Sequence, residues 1–312
     1  MRPFASLNAS KANFDDIYLQ DDPRGYFSVL GALDYIIPDV AAPVIRQILA
    51  ARKRRYDTIP TVLDIGCSYG INAAVLRYPL SFRRLRRRYA NPDMAALSAD
   101  DLARLDRNYY AAWPQTGSAR FIGLDVSAPA VRYAVSVGLL EEGVVANLET
   151  SAPPPHDIER LRRADVILST GCIGYVTERT FHAVLGEMDH APWIVSFVLR
   201  MFPYDAIAEA LARHGLVTER LAGATFVQRR FRDIEEFTRC LGTLEKLGID
   251  TAGLESEGRF QAELFVSRPP ADVQAAPLAE IVKVVSGRNR TVGPRYVRVG
   301  RGEHTQVLRA PS

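Results

Sequence analysis

The chain has 312 residues, 47% of them apolar and 24% charged, with a formal net charge of +3. That length can bury a substantial core, the composition is ordinary for a globular protein, and the charge is too small to mark a nucleic-acid binder. No apolar run reaches the roughly 18 to 20 residues that span a bilayer, and the first thirty residues carry no basic-then-apolar leader pattern.

In chain order, residues 1–59 read as an N-terminal arm, "NFDDIYLQDDPRGYF", followed by a helix from Val40 to Lys53. The arm joins Phe14, Tyr18, Tyr26 and Phe27 to four acids. Pro60 precedes a short apolar strand, Thr61 to Ile65, that ends just beyond Asp64. A loop bracketed by Gly66 and Gly70 follows, and then a helix with Ile71, Ala74, Val75 and Tyr78 at helical spacing. Residues 79–118 form a helical, Arg-rich insertion that opens with "RRLRRR". "ARFIGLDVS" is a second strand ending in Asp125, and Pro129 sits early in the next helix, where its missing N–H costs nothing.

"GVVANLE" (143–149) reads as a third strand, and "ADVILSTGCIGY" (164–175) as a fourth running into a glycine-marked loop. "WIVSFVLR" (193–200) is a fifth, followed by a helix from Tyr204 to His214. Strands at 224–231 and 260–268 flank a helix from Asp233 to Leu247. Strands alternating with helices predict a doubly wound α/β fold: a mainly parallel, Rossmann-like sheet of seven strands with one antiparallel edge strand. Residues 60–267 are expected to hold it. Residues 268–312 form a basic extension rich in Pro and Gly, with eight basic against three acidic residues and one strand at 294–300. It and the Arg-rich run read as solvated surface.

Cys67, Cys172 and Cys240 are widely spaced and odd in number, which excludes a disulfide framework and points to a reducing, cytoplasmic setting. No cluster of His and acids suggests a metal site. His182 and His190 fall on an expected helix as surface or satisfied core residues.

The loop after the first strand carries the chemistry. Glycine allows positive φ and leaves no Cβ in the path of a ligand lying on the backbone. The spacing is G-x-x-x-G and not the G-x-G-x-x-G that cradles a pyrophosphate. Asp64 beside that loop suits a cationic group, reached directly or through water. Asp125, ending the second strand, can accept from both hydroxyls of a ribose. A nucleoside with a cationic, non-phosphorylated tail fits both acids, and S-adenosylmethionine is such a molecule. The competing reading is that the two acids only cap helices.

"VLDIGCSYG", "FIGLDVS", "VVANLE" and "ADVILSTGCIGY" together resemble the successive motifs of class I S-adenosylmethionine-dependent methyltransferases over roughly residues 60–200. The resemblance implies that Gly66, Cys67 and Gly70 lie against the aminoacyl part of the cofactor. It puts Asp125 and Val126 at the ribose, and Asn147, Leu148 and Glu149 near the adenine. Asn147 replaces the family's usual acid there. Thr170, Gly171 and the residues up to Tyr175 are expected to face the sulfonium, and no Asn-Pro-Pro-Tyr motif for a nucleobase follows the fourth strand. Tyr175 either places its ring on the sulfonium or closes a helix–sheet seam. The arm, with Tyr18 and Tyr26, either folds over the cofactor as a lid or packs on the sheet.

The expected function is therefore a methyltransferase acting on a small molecule in bacterial secondary metabolism. Neither membrane nor nucleic acid is expected as a partner, and either terminal extension can support a homodimer. The segment "DPRGYFSVLGALDYIIPDVAAPVIRQIL" before the loop also resembles a bacterial subgroup that cyclises S-adenosylmethionine to azetidine-2-carboxylic acid, releasing methylthioadenosine. Cyclisation, with the cofactor as its own substrate, is thus the alternative activity. A binding protein without activity is disfavoured by the intact acids and glycines, and a nicotinamide oxidoreductase by the glycine spacing.

Overall fold

A computed structural model describes residues 15–117, 119–284, 294–298 and 304–309. Ten strands form a single sheet: β1 (Thr61–Ile65), β2 (Arg120–Asp125), β3 (Glu142–Val145), β4 (Val166–Thr170), β5 (Trp193–Leu199), β6 (Val217–Arg220), β7 (Ala224–Arg230), β8 (Arg259–Arg268), β9 (Pro294–Arg298) and β10 (Thr305–Arg309). Their order is β3-β2-β1-β4-β5-β8-β7-β10-β9, with β6 paired to β8. β1 to β5 run parallel, and all but the short edge strand β3 are almost wholly buried and mostly apolar, as strands of a parallel sheet are. β8, the last of the seven expected strands, runs against its neighbours between β5 and β7, and the sheet ends on an antiparallel edge strand, β9.

The expected seven strands are all present, and three more extend the sheet. β6 is four residues of mixed polarity, too short for a periodic signal. β9 and β10 come from the C-terminal extension, with β10 parallel to β7 and β9 antiparallel to β10. The expected strand at 294–300 is seen over 294–298, its last two residues lying outside the described ones.

From β1 the chain steps to β2 and β3 on one side, then returns to β4 and β5 on the other. Right-handed crossovers in opposite directions put their helices on opposite faces of the sheet. The helix Ile71–Arg77 packs against the long helix Ile37–Tyr56, which also covers β4, β5, β7 and β10. Across the sheet, Glu178–Leu185 packs on Asp205–Arg213. Ser127 caps the helix Ala128–Ser136 by accepting from the Ala130 amide, with Pro129 in its first turn. His190 lies beyond the helix Glu178–Leu185 that the sequence assigned to it, while His182 is on it and pairs with His214 at 2.9 Å.

The insertion forms helices Phe82–Tyr89, Pro92–Ala95 and Ala99–Ala111 around a fully buried acid, Asp106. Asp106 accepts from Arg88 at 2.8 and 2.9 Å, from Tyr89 at 2.9 Å and from Tyr133 at 2.6 Å. One arginine of the basic run is therefore structural, and Arg84 lies over the Trp113 ring. Among the described residues, no single helix is long and apolar enough to cross a membrane.

Candidate functional site

The switch in strand order opens a crevice between the carboxyl ends of the parallel strands β1 and β4, where ligands of open α/β sheets bind. A cavity of about 530 Å³ occupies it. Its floor is the β1 loop, which folds back over β2: the Gly66 and Cys67 amides donate to the Leu124 carbonyl at 2.8 and 3.3 Å. The path needs left-handed backbone at Gly66 (φ 71°), Ser68 (φ 47°) and Gly70 (φ 76°). Ser68 is the departure from sequence logic, since a non-glycine residue at positive φ is uncommon and tends to mark a functional turn.

Asp125 lies on the cavity wall with both oxygens held by main-chain amides: Oδ2 accepts from Ser68 and Oδ1 from Ser127, each at 2.9 Å. Burial raises its carboxyl above the usual range, and the amides oppose that shift. One carboxylate thus joins the β1 loop to the start of the next helix and still offers lone pairs to the cavity.

Asp64 is fully buried and does not reach the wall. The wall residue is Asn72, whose Nδ2 donates to Asp64 Oδ1 and to Thr170 Oγ1, both at 2.9 Å. Direct contact of Asp64 with a ligand is thereby corrected to action from behind Asn72. Burial lifts the Asp64 carboxyl to about 7, and its second oxygen has no hydrogen-bond partner among the described residues.

Gly70 is not on the wall. A Cβ there would meet Ala134 Cβ at 3.1 Å and Leu139 Cβ at 3.2 Å, so the glycine serves the turn and the packing beneath it. Gly66 does line the cavity, but its missing Cβ makes room for Cys172, 2.8 Å from where that atom would stand. Cys67 is buried, with its sulfur filling the space over Gly123. Cys172 is half-buried on the wall, its thiol donating to the Ile65 carbonyl at 3.2 Å.

Asn147, Leu148 and Glu149 all reach the wall, and Val126 stands 65% exposed at the mouth. Glu149 is committed elsewhere. It accepts from the amide and hydroxyl of Thr177 (2.9 and 2.7 Å) and from those of Thr180 (3.3 and 2.6 Å). It therefore caps the helix Glu178–Leu185 and does not serve as a free adenine partner. Asn147 Oδ1 accepts from the Glu149 amide at 3.2 Å, turning the chain there.

Thr170, Gly171 and Tyr175 line the cavity as expected, but Tyr175 is 52% exposed, so its ring stands at the mouth and not in a dry interior. The arm is packed in place. Tyr69 donates to the carbonyls of Ile17 and Gln20 at 2.9 and 2.8 Å, and Ser127 Oγ to that of Tyr18. Tyr26 is buried edge-on to Tyr18, Tyr35 and Tyr69, and Tyr18 and Tyr26 both face the cavity. Asp16, Asp21 and Asp22 of the arm do not line the cavity, Asp22 being clasped to Arg24 at 2.7 Å; Phe14 lies outside the described residues. Burial, and then neighbouring phenols, push the Tyr18 and Tyr26 hydroxyls well above their ordinary range.

Among the wall residues that escaped the sequence are Ser68, Ser127, Asn72, Tyr35, Gln228 and Arg229. Ser127 had a legible signal, as the residue before Ala-Pro at a helix start. Gln228 and Arg229 had none, because they arrive from a strand more than fifty residues beyond β4. Among the described residues, no group of three or more His, Cys, Asp or Glu converges to hold a metal.

No family model matches the chain, and no curated protein does. Among solved structures, it is similar to the plantazolicin methyltransferase BpumL in complex with SAH, at 12% identity, 85% coverage of this chain, 97% of the other, and a TM-score of 0.41. It is also similar to precorrin-6y C5,15-methyltransferase from Geobacter metallireducens, at 13% identity, 71% and 87% coverage, and 0.35. Magnesium protoporphyrin IX methyltransferase from Synechocystis with bound SAM gives 13% identity, 73% and 80% coverage, and 0.35. Likeness of this degree transfers no ligand or reaction, and the chemistry of the site rests on its own geometry.

Proposed function

We propose that the chain binds S-adenosylmethionine in this cavity and is a methyltransferase acting on a small molecule in bacterial secondary metabolism, in the cytoplasm. The observation that carries the reading is Asp125, held by two amides at the carboxyl end of β2 with the β1 loop wrapped against it. A carboxylate fixed in this way suits a vicinal diol. The residues present also fit the rest of the molecule. Ser68 Oγ is buried on the wall without a partner among the described residues, a costly state that a polar ligand relieves. Asn72, backed by Asp64, suits an ammonium group. A pyrophosphate beside that buried acid is disfavoured.

Bound S-adenosylmethionine supplies a methyl group already activated by its positive sulfur. The protein's task is then to orient two reactants and exclude water. Tyr18 and Tyr26, kept neutral by burial, form the apolar side of the wall and do not act as bases.

Titration calorimetry on the parent and on Asp125→Ala tests the reading. The parent should bind S-adenosylmethionine and the variant should bind about 1.5–3 kcal/mol more weakly, the scale of a hydrogen bond to a charged acceptor. Equal affinities, with a native circular dichroism spectrum, overturn the ribose assignment. Incubation without any acceptor should leave S-adenosylmethionine almost unconsumed. Methylthioadenosine formed beyond spontaneous breakdown would instead assign the site to cyclisation.

A further inference from the structure

We propose that Gln228 is the specificity residue for a carboxylate, so that this end of the cavity takes the zwitterionic head of an α-amino acid. Gln228 is 4% exposed and lines the cavity, yet its side-chain amide makes no hydrogen bond among the described residues. The carboxamide opens onto the cavity without a partner among the described residues, and a polar ligand there can pair with it.

A local irregularity aims it there. In a regular strand, successive side chains point to opposite faces. Here Gln228 and its neighbour Arg229 both reach the cavity. The pairing of β7 with β8 slips between Val227 and Arg230, and such a bulge re-aims side chains next to sites. The Ile36 amide donates to the Gln228 carbonyl at 2.8 Å and holds the bulge in place.

The neighbouring groups identify the ligand. A Cβ on Gly171, whose φ is +86°, would stand 2.5 Å from Gln228 Nε2, so glycine there lets the amide reach over the end of β4. Thr170, the adjacent residue, bonds Asn72 at 2.9 Å, and Asn72 bonds the buried acid Asp64 at 2.9 Å. Two polar stations thus flank Thr170 and Gly171. One is backed by a carboxylate and suits an ammonium. The other is the Gln228 carboxamide; the guanidinium of the next residue, Arg229, is balanced by Glu236 through bonds of 2.7 and 2.8 Å. With that charge matched, the Gln228 N–H is left as the donor for a carboxylate.

The proposal rests on the S-adenosylmethionine reading above, and the carboxylate is either the aminoacyl end of that molecule or a separate amino-acid substrate. Calorimetry on the full chain separates these, using S-adenosylmethionine, its decarboxylated analogue, and the common L-amino acids titrated into the S-adenosylhomocysteine complex. Gln228→Leu keeps the bulk without the amide, and Gln228→Glu keeps the shape but repels a carboxylate. If the cofactor supplies the group, the parent prefers S-adenosylmethionine to the decarboxylated analogue at least tenfold, and both variants erase that preference. If a substrate supplies it, the variants keep their affinity for S-adenosylmethionine and lose binding of the amino acid. A parent without the preference and without amino-acid binding overturns the proposal even if a variant fails to fold, as do folded variants that match the parent in both titrations. A parent that binds neither nucleoside overturns the cofactor reading and this proposal together.

Discussion

Asp64 shows how one buried acid can connect stability to binding. Its folded-state carboxyl lies near 7 because burial disfavours the charge, with Asn72 opposing. In the unfolded chain an aspartate titrates near about 3.9. Between those values the folded protein holds the extra proton, so Asp64 favours folding at low pH and loses that contribution as pH rises through about 4 to 7. Asp64→Asn keeps an acceptor for Asn72 without the charge. Its melting temperature, relative to the parent's, should therefore climb between pH 5 and pH 8. A cationic ligand should draw the acid into its charged form, so binding at pH 7 should release up to about half a proton from Asp64 in the parent, a release absent in the variant. Calorimetry in two buffers of different ionisation enthalpy reads this directly. Gly70 is a contrasting residue, serving the turn and the packing beneath it and not the cavity wall. Gly70→Ala forces a side chain onto left-handed backbone and should cost about 1–2 kcal/mol in denaturant unfolding, with S-adenosylmethionine affinity nearly unchanged.

At the scale of elements, Glu149 is a tie between β3 and a helix that begins 29 positions later. Its four hydrogen bonds satisfy two amides and two hydroxyls at the start of Glu178–Leu185. A helix start without such a partner leaves amides unpaired. Glu149→Ala should destabilise the protein by about 1–3 kcal/mol, while Glu149→Gln, which keeps one acceptor, recovers part of the loss. Chemical denaturation measures both. The family resemblance placed Glu149 near the adenine instead, and the residues themselves gave no sign of the cap, because a capping bond across so many residues leaves no local periodicity. The β7 bulge was hidden for a similar reason, since a register slip exists only when the partner strand is present.

Across the whole molecule, the C-terminal segment is bound into the fold. Asp272 accepts from Arg55 at 2.8 Å, Tyr56 at 2.5 Å and Trp193 at 2.7 Å, fastening the helix Ile37–Tyr56 to the start of β5. Burial opposes the charge, but the bonds from Tyr56, Arg55 and Trp193 win and hold the carboxyl below its usual range. A lowered folded value contributes stability above the ordinary carboxyl range and loses it as pH falls. Asp272→Ala should therefore lower the melting temperature more at pH 7 than at pH 4. An equal loss at both would show that packing, not charge, joins the two segments.

The sequence by itself determined the alternation of β1 to β5 with helices, the glycine-marked loop, and the position of Asp125 at a strand end. These follow from local backbone geometry: side-chain period, turn conformation and helix starts are set by residues a few positions apart. Tertiary structure alone decided that Asp64 acts from behind Asn72, that Glu149 is a cap, that Tyr175 stands at the mouth, and that Gln228 joins the wall. Each of these depends on which distant segment reaches the same space, and burial and hydrogen-bond partnership exist only after the sheet has brought those segments together.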